Sequence, residues 1–174
     1  MVKLSICIPT YNFGAFIGDT LASIIAQLQP GVEIVVLDGG STDGTEEIVR
    51  SVLSTHREVS YVRRSERGGI DRDMAQTVDL AHGEYCWLFS SDDIMNPGAV
   101  KKVLSEISSG HDIYLCGLTL CNRTMSIIGE HKITRAQKNS IFQLGDQSDR
   151  LRYFELADTT TAFFSFMGSL IIKR

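Results

Sequence analysis

Asp92 and Asp93 stand side by side two serines after the apolar, strand-forming run Tyr85 to Phe89. Adjacent anions repel, so the pair needs something that favours it. A divalent cation taking oxygen ligands would do so. Such a cation would also hold a diphosphate and stabilise the charge that develops as the diphosphate departs. A second cluster is VVLDGGSTDGT, Val35 to Thr45, in which Asp38 ends a β-branched run and Gly39-Gly40 lets a ligand approach the backbone closely. A carboxylate there can accept from a base imino group or a ribose hydroxyl. The third cluster is Thr10-Tyr11-Asn12, after Leu4–Ile8 and Pro9. Each cluster alone is also what a strand-to-helix turn with capping residues looks like: Asp93 or Asn96 before one helix, Ser41 or Asp43 before another.

The surrounding periodicity places all three clusters alike. Strands are expected at Leu4–Ile8, Val32–Leu37, Val59–Val62 and Tyr85–Phe89. Helical stripes lie between them: Ile17, Leu21, Ile24, Ile25 and Leu28; then Ile48, Val49, Val52 and Leu53; then Ile70, Met74, Val78 and Ala81. Pro97 suits the first turn of a fourth helix with Val100, Val103, Leu104 and Ile107 inward. Four strand–helix repeats predict an α/β fold, a mostly parallel sheet flanked by helices, with ligands at the carboxyl ends of the strands. The acidic and polar clusters fall on that rim. Beyond residue 110 the pattern weakens. Strands are expected at Asp112–Leu120, Met125–Ile128 and Phe163–Ile172, with a polar loop over 130–150 and a short helix over Arg150–Leu156. The chain ends at Lys173-Arg174 on the heels of an apolar run, which reads as a C-terminally truncated domain.

Composition narrows the function. The chain has 174 residues and a net charge of −4, without a basic run, so no nucleic-acid partner is expected. No apolar stretch reaches the length of a membrane span, which leaves at most peripheral membrane association. No leader segment opens the chain, so a cytoplasmic protein is expected, at most touching the inner face of the plasma membrane. Cys7, Cys86, Cys116 and Cys121 sit in apolar runs, as reduced buried cysteines do. His111, Cys116, Cys121 and His131 lack the paired spacing of a zinc site.

SICIPTYN, VVLDGGSTDGT and GEYCWLFSSDD, in this order and spacing, resemble family 2 glycosyltransferases of the GT-A fold, well over residues 3–110 and faintly to 174. GGIDRDMA followed by GEYCWLFSSDD resembles the abequosyltransferase-like subgroup, which builds O-antigen side branches. The resemblance implies sugar transfer, with inversion, from a nucleoside-diphosphate sugar to a saccharide or polyprenyl-linked acceptor, using Mg²⁺ or Mn²⁺. By the motif match Asp93 is the direct metal ligand, and Asp92 touches ribose or a metal-bound water. Pro9, Tyr11 and Asn12 line the nucleotide, Asp38 lies near base or ribose, and Gly39, Asp71, Arg72 and Ser91 complete the substrate-binding set. Two departures stand out. Many members carry a second aspartate where this chain has Gly39, which would pass a base contact to the backbone. The segment after Gly68-Gly69 often ends in Arg-Asn, whereas here Asp71-Arg72-Asp73 would supply different nucleotide or sugar contacts. The resemblance makes residues 1–110 the donor-binding half and 111–174 part of the acceptor side.

The catalytic base stays unassigned. Asp146, Asp149, Glu155 and Asp158 are the acidic candidates in the second half, and solvation in loops or at a helix surface explains each of them. The expectation is therefore donor binding without transfer. Two rivals remain: a non-catalytic nucleotide-sugar-binding module, and a sugar nucleotidyltransferase, which would need a basic Gly-rich loop after strand one. A dinucleotide-binding dehydrogenase would need G-x-G-x-x-G where the chain reads PTYNFG.

Overall fold

The computed structural model describes residues 1–122, 124–136, 138–157 and 168–174. The chain divides into two compact units, Met1–Tyr114 with Ile171–Arg174, and Leu115–Leu170. The first begins with the expected alternation: β1 (Leu4–Thr10), α1 (Ile17–Ile25), β2 (Val32–Asp38), α2 (Thr45–Leu53), β3 (Val59–Arg63), α3 (Ile70–Leu80), β4 (Tyr85–Leu88) and α4 (Ala99–Ile107). After it come β5 (Ile113–Leu115), β6 (Leu118–Cys121), β7 (Ile127–His131), α5 (Gln147–Leu156) and β8 (Leu170–Lys173).

The main sheet runs in the order β3-β2-β1-β4-β8-β5. β1 pairs in parallel with both β2 and β4, and β2 with β3. Every residue of β1 is buried. That is why the run is apolar throughout: a parallel strand covered on both faces has no solvent side on which to alternate. Ile17, Leu21 and Ile24 of α1 are buried, while Cys7, Val35 and Cys86 pack with Ala81 and the half-buried Val78. Each fully buried Leu or Ile contributes about 1.5–3 kcal/mol before chain entropy is subtracted.

β1 continues through Pro9, two residues past the expected end. Cys7 accepts from the Phe89 N–H and Thr10 from the Gly39 N–H, so alternate residues bond alternate neighbours. Pro9 therefore faces the side where β4 has already ended, and its missing N–H costs no ladder bond.

Two helix expectations need correcting. The inward face of α3 is Asp73 and Thr77, whereas Ile70 is 53% exposed. The first turn of this helix opens at the sheet rim, so polar groups face in and the apolar stripe begins only at Val78. Pro97 precedes α4 rather than starting it, because Gly98, at φ +81°, makes the turn into Ala99.

The second unit is smaller and more exposed. The strand expected over Asp112–Leu120 is split into β5 and β6 by Cys116-Gly117, and Met125–Ile128 is displaced to β7. β6 and β7 form an antiparallel hairpin with a register slip at Leu120/Cys121. Asn122 Oδ1 accepts from the Thr124 and Ser126 N–H groups and shapes the turn. The short helix becomes the longer α5, because Asp146 caps its N-terminus by accepting from Ser148 N and Asp149 N. Of the expected strand Phe163–Ile172, residues 163–167 lie outside the described residues and the strand starts at Leu170. Cys7 and Cys86 are buried, whereas Cys116 and Cys121 are only partly so. Among the described residues no helix is long and apolar enough to cross a membrane.

Candidate functional site

β1 and β2 end in register, with Thr10 opposite Asp38. Asp38 is 0% exposed, and its carboxylate is filled by its own surroundings. Oδ1 accepts from Gly40 N at 3.0 Å, Ser41 N at 2.7 Å and Ser41 Oγ at 2.7 Å. Oδ2 accepts from the Tyr61 hydroxyl at 2.6 Å, with Arg63 Nε 3.9 Å away. Burial, then this carboxylate, push the Tyr61 phenol well above its ordinary range. With both oxygens engaged and no exposure, the Asp38 carboxylate shapes the loop at the place where a base or ribose contact was expected.

Asn12 belongs to the same network. It adopts φ +58°, a left-handed conformation that asparagine tolerates. Its N–H donates to Ser41 Oγ at 2.9 Å, and its Oδ1 accepts from Thr42 N at 2.8 Å. A relay thus runs from Asn12 N–H through Ser41 to Asp38 and ties the β1 loop to the β2 loop. Asp43 adds a second tie, accepting from Gly14 N at 2.9 Å and from Thr45 N at 3.0 Å. The Thr45 hydroxyl holds its carboxyl below the usual range. Tyr11 is half-buried, with the Arg67 guanidinium 4.5 Å from its ring centroid.

The loop after β4 is bolted to α1. Ser91 is buried, and its carbonyl accepts from the Thr20 hydroxyl at 3.0 Å. Further along, Met95 N donates to Ser23 Oγ at 2.9 Å, and Gln27 Nε2 donates to Met95 O at 3.3 Å. Asp92 and Asp93 lie between these anchors. Ser90 Oγ donates to Asp92 Oδ1. The Asp93 carboxyl is pushed up from the ordinary carboxylate value, first by partial burial and then by the charge of Asp92. Among the described residues, no lysine, arginine or histidine pairs with either acid. β4 neighbours β1 in parallel, so this loop and the Asn12–Asp38 network share the carboxyl-end rim.

This donor set fits a hard cation. Two adjacent carboxylates, one perturbed by the other's charge and neither neutralised, offer oxygen ligands to Mg²⁺ or Mn²⁺. Among the described residues no third His, Cys, Asp or Glu joins them. The remaining positions would fall to diphosphate oxygens and water.

Not every expected residue reaches this centre. Asp71 and Arg72 are exposed on α3, and Arg72 opens with Arg64 and Gln76 onto a depression of about 530 Å³. Asp73 is the buried acid of that segment, 4% exposed, with Arg64 Nη1 3.5 Å from Oδ1. Pro9 and Gly39 are buried at the rim. Of the acids considered for a base, Asp146 is a helix cap held low by the Ser148 hydroxyl, and Asp149 accepts from Gln143 N and pairs with Arg152. Glu155 is exposed, and Asp158 lies outside the described residues. The sequence reading missed Thr20, Ser23 and Gln27, whose i, i+3, i+7 spacing along α1 and just past its end was the available signal.

Residues 5–171 match the sequence profile described as Glycosyl transferase family 2. Abequosyltransferase RfbV of Salmonella typhimurium (strain LT2) is 32% identical over 176 residues, which cover 98% of this chain and 53% of that protein. The chain thus spans about half the length of that relative. Staphylococcus aureus TarS 1–349 superposes on 99% of this chain and 47% of its own, with a TM-score of 0.75 and 21% identity. Its complex with UDP-GlcNAc aligns with 66% of this chain and 34% of its own, at a TM-score of 0.61 and 30% identity. The mannosyltransferase PcManGT of Pyrobaculum calidifontis, in complex with GDP-Man and Mn²⁺, aligns with 69% of this chain and 36% of its own, at a TM-score of 0.61 and 25% identity.

Proposed function

The chain belongs to glycosyl transferase family 2 and has the GT-A fold, and we propose that it binds a nucleoside-diphosphate sugar as the donor for transfer to a saccharide or polyprenyl-linked saccharide acceptor. The observation that carries this reading is the Asp92–Asp93 pair, anchored on both sides and without a counter-charge among the described residues. Asp93 is the direct ligand to Mg²⁺ or Mn²⁺, and Asp92 meets ribose or a metal-bound water. When bound, the cation neutralises the diphosphate and stabilises the charge on the departing group.

The chain's own residues do the rest. Tyr11, the backbone of Pro9 and Gly39, and the turn held by Asn12 line the nucleotide. Ser91 fixes the height of the acid pair through Thr20. Arg72 reaches out from α3 with a charge suited to the donor's outer phosphate or sugar. The complexes of TarS with UDP-GlcNAc and of PcManGT with GDP-Man and Mn²⁺ support a nucleotide-sugar donor and a divalent cation. The similarity to the abequosyltransferase RfbV supports glycosyl transfer; a role in O-antigen-like polysaccharide synthesis at the cytoplasmic face of the membrane is part of this proposal. In this reading residues 1–110 hold the donor and 111–174 belong to the acceptor side.

Transfer with inversion needs a base within hydrogen-bond reach of the acceptor hydroxyl. Asp146 and Asp149 are committed to the start of α5, so this reading assigns acceptor activation to neither of them. A thermal-shift screen of UDP, GDP, CDP and dTDP, each with and without Mn²⁺, tests the donor reading, because a ligand of the native state raises its melting temperature. At least one nucleotide is expected to stabilise the protein only with Mn²⁺. No shift from any of the four would overturn the reading.

A further inference from the structure

Asp73 has no assigned part in the proposed function, although it is a carboxylate buried to 4% exposure. Arg64 Nη1 makes its short bond, 2.6 Å, to Gln76 Oε1 and stands 3.5 Å from Asp73 Oδ1. Among the described residues Oδ2 has no hydrogen-bond donor. That oxygen is open to accept from a ligand, and its position suggests which one. A Cβ built on Gly39 would lie 2.8 Å from Oδ2, and 3.6 Å from both the Thr10 carbonyl and the Tyr11 Cβ. Oδ2 therefore occupies the space that a side chain at position 39 would fill. Successive strand residues face opposite sides of the sheet. Asp38 shares its side with Tyr61, so position 39 points to the other side, where Val35 and α3 pack. Gly68 clears the opposite flank, since a Cβ there would collide with Oδ1.

We propose that Asp73 reads the donor's nucleobase, with Oδ2 accepting a hydrogen bond from a ring or exocyclic N–H of a base lying against Tyr11. The proposal rests on the nucleotide-sugar reading above. A phosphate would be repelled by this carboxylate, whereas a base supplies both an N–H donor and a flat face for the aromatic ring beside it. The carboxylate that position 39 lacks is thus delivered from α3.

The test is calorimetric titration of the Mn²⁺-loaded protein with UDP, GDP, CDP, dTDP, ribose 5-diphosphate and pyrophosphate. Asp73→Leu keeps the shape of the side chain but cannot accept. It should weaken the tightest-binding nucleotide about tenfold or more, while ribose 5-diphosphate and pyrophosphate change by less than about twofold. Gly39→Asp combined with Asp73→Ala should recover most of the loss, because a side chain at 39 reaches the same place. If Asp73→Leu fails to fold, Gly39→Ala replaces it: its Cβ displaces Oδ2 and should lower nucleotide affinity alone. Unchanged nucleotide affinity, or an equal loss for ribose 5-diphosphate or pyrophosphate, would overturn the base-reading role while leaving donor binding intact. Absence of nucleotide binding by the native protein would overturn the donor reading itself.

Discussion

Asp38 and Asp93 both follow parallel strands at the same rim, and they are opposites. Asp38 is closed off: two backbone N–H groups and two hydroxyls donate to it, and none of its surface is exposed. Asp93 has no cationic partner among the described residues, and desolvation, then the charge of Asp92 beside it, raise its proton affinity. A satisfied buried carboxylate is architecture, because nothing remains for a ligand to gain from it. An unsatisfied one held firmly in place is stabilised only when a ligand arrives. The sequence alone shows two Asp-rich strand ends and cannot distinguish these cases.

The sharpest way to break the contrast is Asp38→Ala. It strands two backbone N–H groups and the Tyr61 hydroxyl, and should cost about 3–5 kcal/mol. For a chain of this size that lowers the melting temperature by roughly 6–20 °C, which differential scanning calorimetry would detect. A loss below about 1 kcal/mol would show that Asp38 is not the keystone of the loop. Thr20→Val comes next. It removes the bond to the Ser91 carbonyl, should cost about 1 kcal/mol, and should weaken Mn²⁺-dependent nucleotide binding several-fold by loosening the acid pair. Stability and affinity measured on the same sample would show whether the two effects travel together.

The smallest effect is in pH dependence. Asp93 has a raised folded-state value, so its contribution to stability is fully present below the ordinary carboxylate value and is lost as pH climbs through the raised one. Asp43 has the opposite sign: its contribution is present above the ordinary value and is lost as pH falls through the lowered one. Mn²⁺ competes with the proton on Asp93, so metal-dependent binding should fail on acidification earlier than for an unperturbed carboxylate. Asp92→Asn should move that limb to lower pH, which carboxyl carbon chemical shifts would report directly.

Much of residues 1–110 was legible in the sequence because continuous β-branched runs and 3.6-residue stripes report burial. The rim was legible because Gly-Gly, Asp-Asp and Tyr-Asn interrupt those runs. What escaped was polar and directional. Hydropathy sorts Thr20, Ser23 and Gln27 as gaps in the stripe of α1, although their hydrogen bonds hold the acid loop in place. The same bias turned α3 the wrong way, because a helix whose first turn meets a polar rim presents Asp73 inward and leaves Ile70 outside. In the second unit the hairpin and α5 are set by Asn122 and Asp146, single side chains that accept backbone N–H groups. No periodicity announces them.

The central claim is that Asp93, through a divalent cation, holds the donor diphosphate. Calorimetric titration of a nucleoside diphosphate into native protein and Asp93→Asn, each with and without Mn²⁺, tests it most directly. The native protein should gain about a hundredfold or more in affinity from Mn²⁺, close to 3 kcal/mol. Asp93→Asn should lose that gain while melting within a few degrees of native. An Asp93→Asn protein that keeps the full Mn²⁺-dependent gain would contradict the account.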